Sequence, residues 1–375
     1  MQFIASPKII LGLDVSDLSI KAVQIAKRGE KKYIRAINTI EVPAGCISEG
    51  EIKDIEKVAE LVKQLIKGSP KKFSTKYVTL SLPETKTFIK VIEVPTTDIA
   101  ISEAIRQELP RHIPIGNEEM QIDWQAFSDA PGKKKFLVGA VPKSVTDDYI
   151  KAANLAGLMV VALEIEAEAI ARCILPAKMK KKTGYDFGKL FKKKSEQKKG
   201  EVKINDKKGP VMLVDFGATR TSLIFMDHGV IQFTNNLSRI SGQKITEKIA
   251  GELQLTNEEA EKAKIICGTN PKRCKGATMR IINETINELA KEIASADNFY
   301  QTHFGQESGQ LAVILCGGGS KMMGLDKTLQ EKLGREIYYG NPLTNIESLS
   351  SKREDLLAYT TAIGLALRNF IVTDY

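Results

Sequence analysis

One short pattern occurs twice in this chain, about half the molecule apart. The first copy, residues 9–21, is IILGLDVSDLSIK, and the second, residues 211–222, is VMLVDFGATRTS. In each copy an apolar run typical of a buried strand ends in an aspartate, a tight turn follows, and hydroxyl residues begin the next strand. The repeat predicts two similar lobes, each carrying a hairpin with an aspartate at its tip.

The residue types of the hairpin are those that a phosphate site needs. Small residues in the turn let the backbone approach a ligand closely, and backbone N–H groups together with hydroxyls form a concave donor site for phosphate. Asp14 and Asp215, at the strand ends, are candidates for holding a hydrated magnesium ion, which prefers oxygen ligands. One copy alone would favour an ordinary hairpin with an acidic turn, since short Gly and Asp motifs recur by chance. Two copies in register favour the ligand site.

Length and composition exclude several classes of protein. A chain of 375 residues is too long for one core of ordinary size, so two or more domains are expected. Apolar runs fall short of the roughly 18 to 20 residues that span a bilayer, and the N-terminus does not have the pattern of a signal peptide. The five cysteines and three histidines are scattered. They predict reduced thiols in a cytoplasmic protein, without structural zinc.

The net charge of +9 is concentrated in one stretch. Residues 177–208 contain 13 lysines and four acids, so they carry the whole excess of positive charge. Their composition predicts a flexible surface excursion. A solvated loop is the favoured interpretation; contact with an anionic membrane surface comes second, because Tyr185, Phe187, Leu190 and Phe191 lie among the lysines. Nucleic acid comes last, and we predict no nucleic-acid partner.

Strand and helix patterns alternate along the chain and divide it into regions. Residues 86–163 follow the order strand, helix, strand, strand, helix, strand, and are predicted to form a small α/β module. The predicted regions are a first lobe core at 1–85 and 164–176, the module at 86–163, the lysine-rich excursion at 177–209, and a second lobe at 210–375 that includes a helical subdomain at about 243–308 and a final helix at 355–370 that packs back between the lobes.

Five segments, in the same order, resemble those of the actin, Hsp70 and sugar-kinase superfamily. LGLDVSDLSIKAVQI and VMLVDFGATRTSLI resemble its two phosphate loops, LEIEAEAIARCI and AYTTAIGLALR its two connecting helices, and VILCGGGSKMMGL its adenosine loop. The resemblance covers nearly the whole chain except the lysine-rich stretch. It implies the two-lobed actin-like ATPase fold, an α/β fold of duplicated ribonuclease H-like lobes, with the small α/β module inserted in the first lobe.

Within the superfamily, the module segments IKVIEVP, AIRQELPRHIP and EEMQIDWQ most resemble PilM, an actin-like family of type IV pilus or related secretion assembly proteins close to FtsA. That resemblance implies a cytoplasmic scaffold, peripheral at the inner membrane, which binds the cytoplasmic N-terminal tail of a PilN-like membrane protein. Other proteins of the pilus platform are further candidate partners. An FtsA-like division tether and a small-molecule kinase are the alternatives. The chain stops at LRNFIVTDY, without the membrane anchor expected of a tether, and no aspartate suits a kinase.

The resemblance also assigns roles to single residues, with ATP or ADP and Mg²⁺ as cofactors. Met323 offers an apolar surface to adenine, Glu261 can accept hydrogen bonds from ribose, Asp14 and Asp215 hold magnesium through water, and Glu166 is the candidate for orienting an attacking water. The full set of predicted cofactor-binding residues is Gly12, Asp14, Ser16, Ser19, Lys21, Asp215, Gly217, Ala218, Thr219, Thr221, Gly242, Thr246, Glu261, Lys264, Gly317, Gly318, Gly319, Ser320 and Met323.

One departure from the family pattern bears on catalysis. Ser16 stands where relatives have glycine, and Asp17 and Leu18 replace two small residues. A negative charge at Asp17 would oppose a polyphosphate unless it points away or meets magnesium. The sequence therefore predicts nucleotide binding with weak or absent hydrolysis.

Overall fold

The computed structural model describes residues 9–95, 99–112, 119–130, 133–176, 210–227, 229–304, 311–347 and 356–370. The lysine-rich stretch at 177–209 lies outside the described residues. The chain divides into two compact units. The first unit comprises Met1–Ala177, Ile231–Thr234 and Pro342–Tyr375, and the second comprises Lys178–Val230 and Asn235–Asn341.

Strands and helices alternate as the sequence predicts. The strands are Leu11–Val15 (β1), Ser19–Arg28 (β2), Lys31–Glu41 (β3), Ile47–Ser48 (β4), Glu51–Ile52 (β5), Tyr77–Leu82 (β6), Phe88–Pro95 (β7), Met120–Ala130 (β8), Lys133–Pro142 (β9), Met159–Ile165 (β10), Val211–Phe216 (β11), Thr221–Asp227 (β12), Val230–Leu237 (β13), Ala312–Cys316 (β14) and Ile337–Tyr339 (β15). The α-helices are Ile55–Lys67 (α1), Ile101–Glu108 (α2), Lys143–Leu155 (α3), Glu166–Ile174 (α4), Gly242–Leu253 (α5), Asn257–Ile266 (α6), Ala277–Phe304 (α7), Leu325–Leu333 (α8) and Thr360–Leu367 (α9).

The main sheet of the first unit has the strand order β10-β6-β1-β2-β3. The hairpin strands β1 and β2 pair antiparallel, and β6 lies parallel to β1 on its other side. Helix α1 begins at Asp54, whose side chain caps the N–H of Lys57, and it ends before Gly68. Its apolar stripe packs with α3 and the sheet in one core.

The second unit repeats this arrangement. Strand β11 pairs antiparallel with β12 and parallel with β14, and β15 extends the parallel side. Thus each copy of the repeated pattern forms an antiparallel hairpin whose first strand is flanked by a parallel strand. Helix α7 turns an apolar stripe that includes Ile282, Ile286 and Leu289 fully inward, so that stripe is core.

The inserted module has a small core of its own. Strand β9 lies antiparallel between β7 and β8, and α2 packs on β7 with Ile105 fully buried. The module predicted at 86–163 includes α3 and β10, but in the structure α3 contributes to the main core and β10 pairs parallel with β6. The separate core therefore ends with β9.

Two glycines allow backbone contact around the final helix, which the sequence assigns to the second lobe and the structure includes in the first unit. A Cβ atom on Gly12 of β1 would lie 2.2 Å from the carbonyl oxygen of Ala362 in α9. A Cβ on Gly364 of α9 would lie 1.8 Å from the carbonyl oxygen of Ala169 in α4. Helix α9 therefore packs directly on β1 and α4 only because both positions lack a side chain.

The cysteines differ from the expectation of reduced thiols. Cys267 and Cys274 are joined by a disulfide, whereas Cys46, Cys173 and Cys316 are buried free thiols. The spacing of seven residues matches no common motif, so the pairing escaped sequence reasoning. Separately, none of the helices among the described residues combines the length and apolar character needed to cross a membrane.

Candidate functional site

In the first unit, the tip of the β1–β2 hairpin places a buried carboxylate beside a cation. The Oδ2 atom of Asp14 lies 3.6 Å from Nζ of Lys21, which also donates to Oγ of Ser19 at 2.7 Å. The hydroxyl of Ser81 donates to Oδ1 of Asp14 at 3.2 Å. Because the Lys21 ammonium already offsets the charge of Asp14, this carboxylate is a weaker candidate for a cation than an unpaired one.

Sequence reasoning missed Ser81, although a signal was present. Strand β6 runs parallel to β1 with Leu80 opposite Leu13, which brings Ser81 next to Asp14. The carboxyl ends of neighbouring parallel strands meet at one edge of a sheet. The predicted strand at 77–82 thus contained the hydroxyl in a position that could have been anticipated.

The turn that follows Asp14 is closed by its own hydrogen bonds. The backbone N–H and the hydroxyl of Ser16 both donate to the carbonyl oxygen of Ser19, at 3.1 and 2.9 Å. The side chain of Asp17 accepts from the N–H of Gly50 at 2.9 Å, and so it supports the β4–β5 hairpin. This hydrogen bond accounts for an acid in a turn that relatives fill with small residues.

Two further predicted site residues, Gly12 and Glu166, also lie in the first unit. Gly12 is in β1, where the contact with α9 by itself accounts for a glycine. Glu166 is the first residue of α4, and its side chain is 6% exposed. Its predicted role in orienting water stays a prediction.

In the second unit, Asp215 lies at the end of β11, opposite Cys316 of the parallel strand β14. A Cβ atom on Gly317 would be 2.4 Å from Oδ1 of Asp215, and one on Gly319 would be 2.8 Å from the carbonyl oxygen of Phe216. The glycines that follow β14 therefore let the chain pass directly over the aspartate. The carboxylate at the end of the second copy thus meets the glycine backbone of the predicted adenosine loop.

The turn after Asp215 docks on the start of α5. The carbonyl oxygens of Gly217 and Ala218 accept from the N–H groups of Gly242 and Gln243, at 3.0 and 2.9 Å. These contacts join two predicted phosphate segments. Thr221, in contrast, is fully buried and donates its hydroxyl to the carbonyl oxygen of Ile240 at 2.8 Å, so this hydroxyl has a structural partner.

A buried lysine connects α5 with α6. Nζ of Lys264 donates to the carbonyl oxygen of Gly242, to Oγ1 of Thr246 and to Oε2 of Glu261, at 2.9, 2.8 and 2.6 Å. The Glu261 side chain is 47% exposed, whereas that of Lys264 is 6% exposed. Burial lowers the pKa of Lys264, against the effect of Glu261. The lysine thus fixes an accessible carboxylate.

The predicted adenosine loop lies against the turn that follows α6. The N–H of Met323 donates to the carbonyl oxygen of Ile265 at 3.3 Å, and the carbonyl oxygen of Met323 accepts from the N–H and Oγ1 of Thr269 at 2.9 and 3.2 Å. The Met323 side chain remains 36% exposed. Ser320, by contrast, is buried and donates to the carbonyl oxygen of Cys316.

These contacts bring most of the predicted second-unit residues into one connected surface. Asp215 meets Gly317, and the Gly217–Ala218 turn meets Gly242. Helix α6 contributes Lys264 and also Ile265, whose carbonyl oxygen accepts from the N–H of Met323. The arrangement combines a carboxylate, backbone turns, an accessible acceptor at Glu261 and an apolar thioether. Sequence reasoning missed Thr269, since no motif included it.

Comparison with known proteins gives a consistent result. A sequence model of the family described as type IV pilus assembly protein PilM matches residues 12–183 and 194–370. The solved structure of a PilM–PilN type IV pilus biogenesis complex is 23% identical, with a TM-score of 0.77, and the match covers 97% of this chain and 99% of that one.

Two more distant structures share the fold. The ethanolamine utilization protein EutJ from Carboxydothermus hydrogenoformans is 16% identical over 96% of this chain and 90% of its own, with a TM-score of 0.51. MreB 5 of Spiroplasma citri, bound to AMPPNP, is 11% identical over 95% of this chain and 94% of its own, with a TM-score of 0.50. These likenesses confirm the two-lobed actin-like fold that the sequence predicts.

Proposed function

Since this chain belongs to the PilM family of type IV pilus assembly proteins, we propose that it is a nucleotide-binding scaffold at the cytoplasmic face of the inner membrane. It holds the N-terminal tail of a PilN-like membrane protein, and nucleotide changes the surface that it offers to its partners. Steady ATP hydrolysis is not part of the proposal, because the first hairpin departs from the phosphate-loop pattern at Ser16 and Asp17.

The second unit supports the nucleotide half of the proposal. The turn after Asp215 is the candidate for phosphate, although the N–H of Gly217 itself donates to the carbonyl oxygen of Arg220 at 2.9 Å. Glu261 suits ribose hydroxyls, and Met323 suits adenine. Asp215 is our candidate for holding magnesium through water, because a carboxylate supplies the oxygen ligands that this ion prefers. Bound magnesium would offset the negative charge of the phosphates there.

Calorimetric titration with ATP or ADP and magnesium tests the nucleotide half. The wild-type chain should bind saturably, and Asp215→Ala should weaken binding by about tenfold or more, since each charge-assisted contact contributes about 1.5 to 3 kcal/mol. Asp326→Ala, which removes a carboxylate from the first turn of α8, is the control and should leave the affinity unchanged. Absence of heat and of a thermal shift with every nucleotide would refute this half.

A cavity in the first unit carries the partner half of the proposal. It has a volume of about 720 Å³ and lies where the module meets the main sheet, lined by residues of β8, β9, β10 and α4. Ile122 and Trp124 of β8 are among the residues that line it, and they also pack against the core of the module. Leu163 and Ile165 of β10 line it as well. A groove of this size and composition suits a short peptide with apolar side chains.

The walls of the cavity also suit an extended and basic segment. Within the described residues, β8 and β10 are the outermost strands beside β9 and β6. Outer strands present backbone groups to which an extended peptide can pair. Asp123 and Asp147 line the cavity, while Glu164 is engaged by Arg172 and Arg368. Short cytoplasmic tails of membrane proteins are rich in lysine and arginine, which complements the two aspartates.

Titration with a synthetic N-terminal tail of the accompanying PilN-like protein tests the partner half. Trp124→Ala should weaken binding by about tenfold or more, because buried aromatic anchors contribute about 2 kcal/mol or more. Asp123→Lys should weaken it as well, and Glu252→Lys, the same charge change in α5 of the second unit, should not. Equal affinity for Trp124→Ala and wild type would refute the docking site. Capture of FtsZ instead of the tail would favour the division alternative.

A further inference from the structure

The disulfide between Cys267 and Cys274 closes the turn that joins α6 to α7. The two cysteines are seven residues apart, and their Cα atoms lie 5.8 Å from each other. Cys267 is 3% exposed and ends α6, whereas Cys274 is exposed at the start of a single 3-10 turn that leads into α7. Cys267 is thus a core residue, whereas Cys274 is a solvent-exposed residue.

The backbone of this turn adopts conformations that need a constraint. Cys274 and Lys275 have φ angles of 45° and 51°, and Gly268 and Gly276 have φ angles of 47° and 69°. Residues with side chains rarely adopt positive φ, and they retain it only where the surroundings enforce it. The cross-link at Cys274 supplies such a constraint at the first of three consecutive left-handed residues.

The same turn holds the adenosine loop by its backbone. Thr269 donates twice to the carbonyl oxygen of Met323, and Oγ1 of Thr278 fixes the carbonyl oxygen of Gly268 at 2.9 Å. A Cβ atom on Gly268 would lie 2.2 Å from the carbonyl oxygen of Met323, so the two backbones touch. Any loosening of residues 267–276 must therefore change the freedom of Met323.

We propose that Cys267 and Cys274 form a reversible thiol–disulfide modification site that sets the order of this turn and, through Met323, the affinity of the second unit for an adenine nucleotide. The affinity part rests on the proposed nucleotide function. In the oxidised chain the turn and the adenosine loop are held in place before the ligand arrives, so binding loses less conformational entropy. Reduction frees the turn and weakens binding.

The chemistry requires only a small thiol and its disulfide. A thiolate attacks Sγ of Cys274, the exposed residue of the pair, the S–S bond breaks, and Cys267 leaves as a thiolate that takes a proton from water. A second thiolate attacks the small-molecule sulfur of the mixed disulfide and releases Cys274, which is protonated in turn. Two small thiols are thereby oxidised to one disulfide, and the protein disulfide is reduced to two thiols. Oxidation by a low-molecular-weight disulfide is the reverse.

The remaining cysteines have a different environment. Cys46, Cys173 and Cys316 are free and buried, and burial raises the pKa of the Cys173 thiol. A buried thiol of raised pKa is a poor nucleophile. In a compartment that keeps thiols reduced, a disulfide is typically regulatory or catalytic rather than structural. The Cys267–Cys274 pair therefore differs from the other three cysteines in two ways: it is cross-linked, and one of its residues is exposed to solvent.

The test compares the full-length chain equilibrated with oxidised glutathione and with dithiothreitol. Alkylation followed by mass spectrometry should find two additional reactive thiols, at Cys267 and Cys274, in the reduced chain. Hydrogen exchange at the amides of Thr269 and Met323 should be about tenfold faster after reduction, because their hydrogen bonds open more often. The Kd for ADP with magnesium should rise by about fivefold or more, the usual lower range for coupling between two sites.

Variants separate this effect from general damage. Cys274→Ser should behave as the reduced chain under both conditions, whereas Cys46→Ala, in the first unit, should keep the full redox response. Failure of the pair to reoxidise would overturn the proposal, as would equal exchange rates at Thr269 and Met323 in the two states. An unchanged Kd in a chain that does bind ADP would also overturn it.

A chain that binds no nucleotide in either state would refute the proposed nucleotide function, and the exchange rates would then decide the modification site by themselves. Faster exchange after reduction would support the site, and equal exchange would overturn it.

Discussion

The carboxylate of Asp17 accepts a hydrogen bond from Gly50, whose own carbonyl oxygen accepts from the hydroxyl of Tyr149 at 2.9 Å. Sequence alone places this acid in a phosphate loop, where it would repel a ligand. The structure gives it a partner in a different hairpin. At the residue scale, Asp14 of the first copy has Lys21 beside it, and Asp215 of the second copy lies against the backbone of Gly317.

Replacement of Asp17 tests its structural role. Asp17→Ala should lower the free energy of unfolding by about 1 kcal/mol, because the buried N–H of Gly50 loses its acceptor. The Kd for ADP should stay within about twofold of the wild-type value. Urea denaturation and calorimetry measure the two quantities. A tenfold gain in affinity would instead mean that the Asp17 charge faces the phosphates.

Lys264 gives a pH dependence of defined sign. Burial lowers its pKa in the folded chain from the ordinary value of 10.5, so the unfolded chain binds the proton more tightly. The charged lysine therefore costs stability below the folded pKa, and the cost disappears as the pH rises toward 10.5. The unfolding free energy of wild type relative to Lys264→Met should accordingly rise with pH in that window. A difference that is constant or falls between neutral pH and 10 would contradict the assignment.

At the scale of elements, close packing of α9 explains two glycines. Helix α9 touches β1 at Gly12 and touches α4 through its own Gly364. Strand β1 leads into the predicted first phosphate loop, and α4 begins with the candidate Glu166, so both are packed on the same helix. The resemblance to phosphate loops would explain Gly12 by ligand contact. Packing explains it without a ligand.

Alanine at these glycines should be costly. Gly12→Ala and Gly364→Ala should each lower the unfolding free energy by about 1 to 3 kcal/mol or more, because each Cβ meets backbone that cannot move aside. Gly251→Ala is the matched control: its Cβ meets nothing within 4 Å in the last turn of α5. There alanine should stabilise by about 0.5 to 1 kcal/mol through helix propensity. Denaturant midpoints measure all three, and a neutral Gly364→Ala would contradict the packing.

At the scale of the whole molecule, the net positive charge is carried by a stretch that lies outside the described residues. The net charge of +9 belongs to residues 177–208, and the rest of the chain is balanced. Contact with an anionic membrane surface, the second interpretation of this stretch after a solvated loop, stays a prediction. Clusters of lysine near a membrane are attracted by about 1 kcal/mol for each charge close to the surface.

Deletion of residues 178–208 tests that contact. The deletion should abolish sedimentation with vesicles that contain phosphatidylserine, because it removes the net positive charge of the chain. A control variant with serine at Tyr185, Phe187, Leu190 and Phe191 keeps the charge and should sediment more weakly than wild type, though more than the deletion. Sedimentation that the deletion leaves unchanged would end the membrane prediction.

The sequence by itself determined the features that depend on neighbouring residues. The aspartate-tipped hairpins, the alternation of strands and helices, and the segments of the module follow from local periodicity and turn chemistry, which act within a few residues. Together with their order, these segments were enough to predict the two-lobed actin-like fold and the PilM family. The Gly217 turn, Gly242 and Lys264 were each candidates from sequence, and the structure brings them into contact; their role in binding stays a prediction.

Only the tertiary structure decided which distant segments meet. It pairs β10 with β6 instead of with the module, directs Asp17 to Gly50, packs Gly12 against Ala362, and joins Cys267 to Cys274. In each case the two partners lie far apart along the chain or belong to no recognisable motif. Local sequence patterns therefore do not distinguish these pairings from other possible ones. Simultaneous packing of the whole core selects one of them.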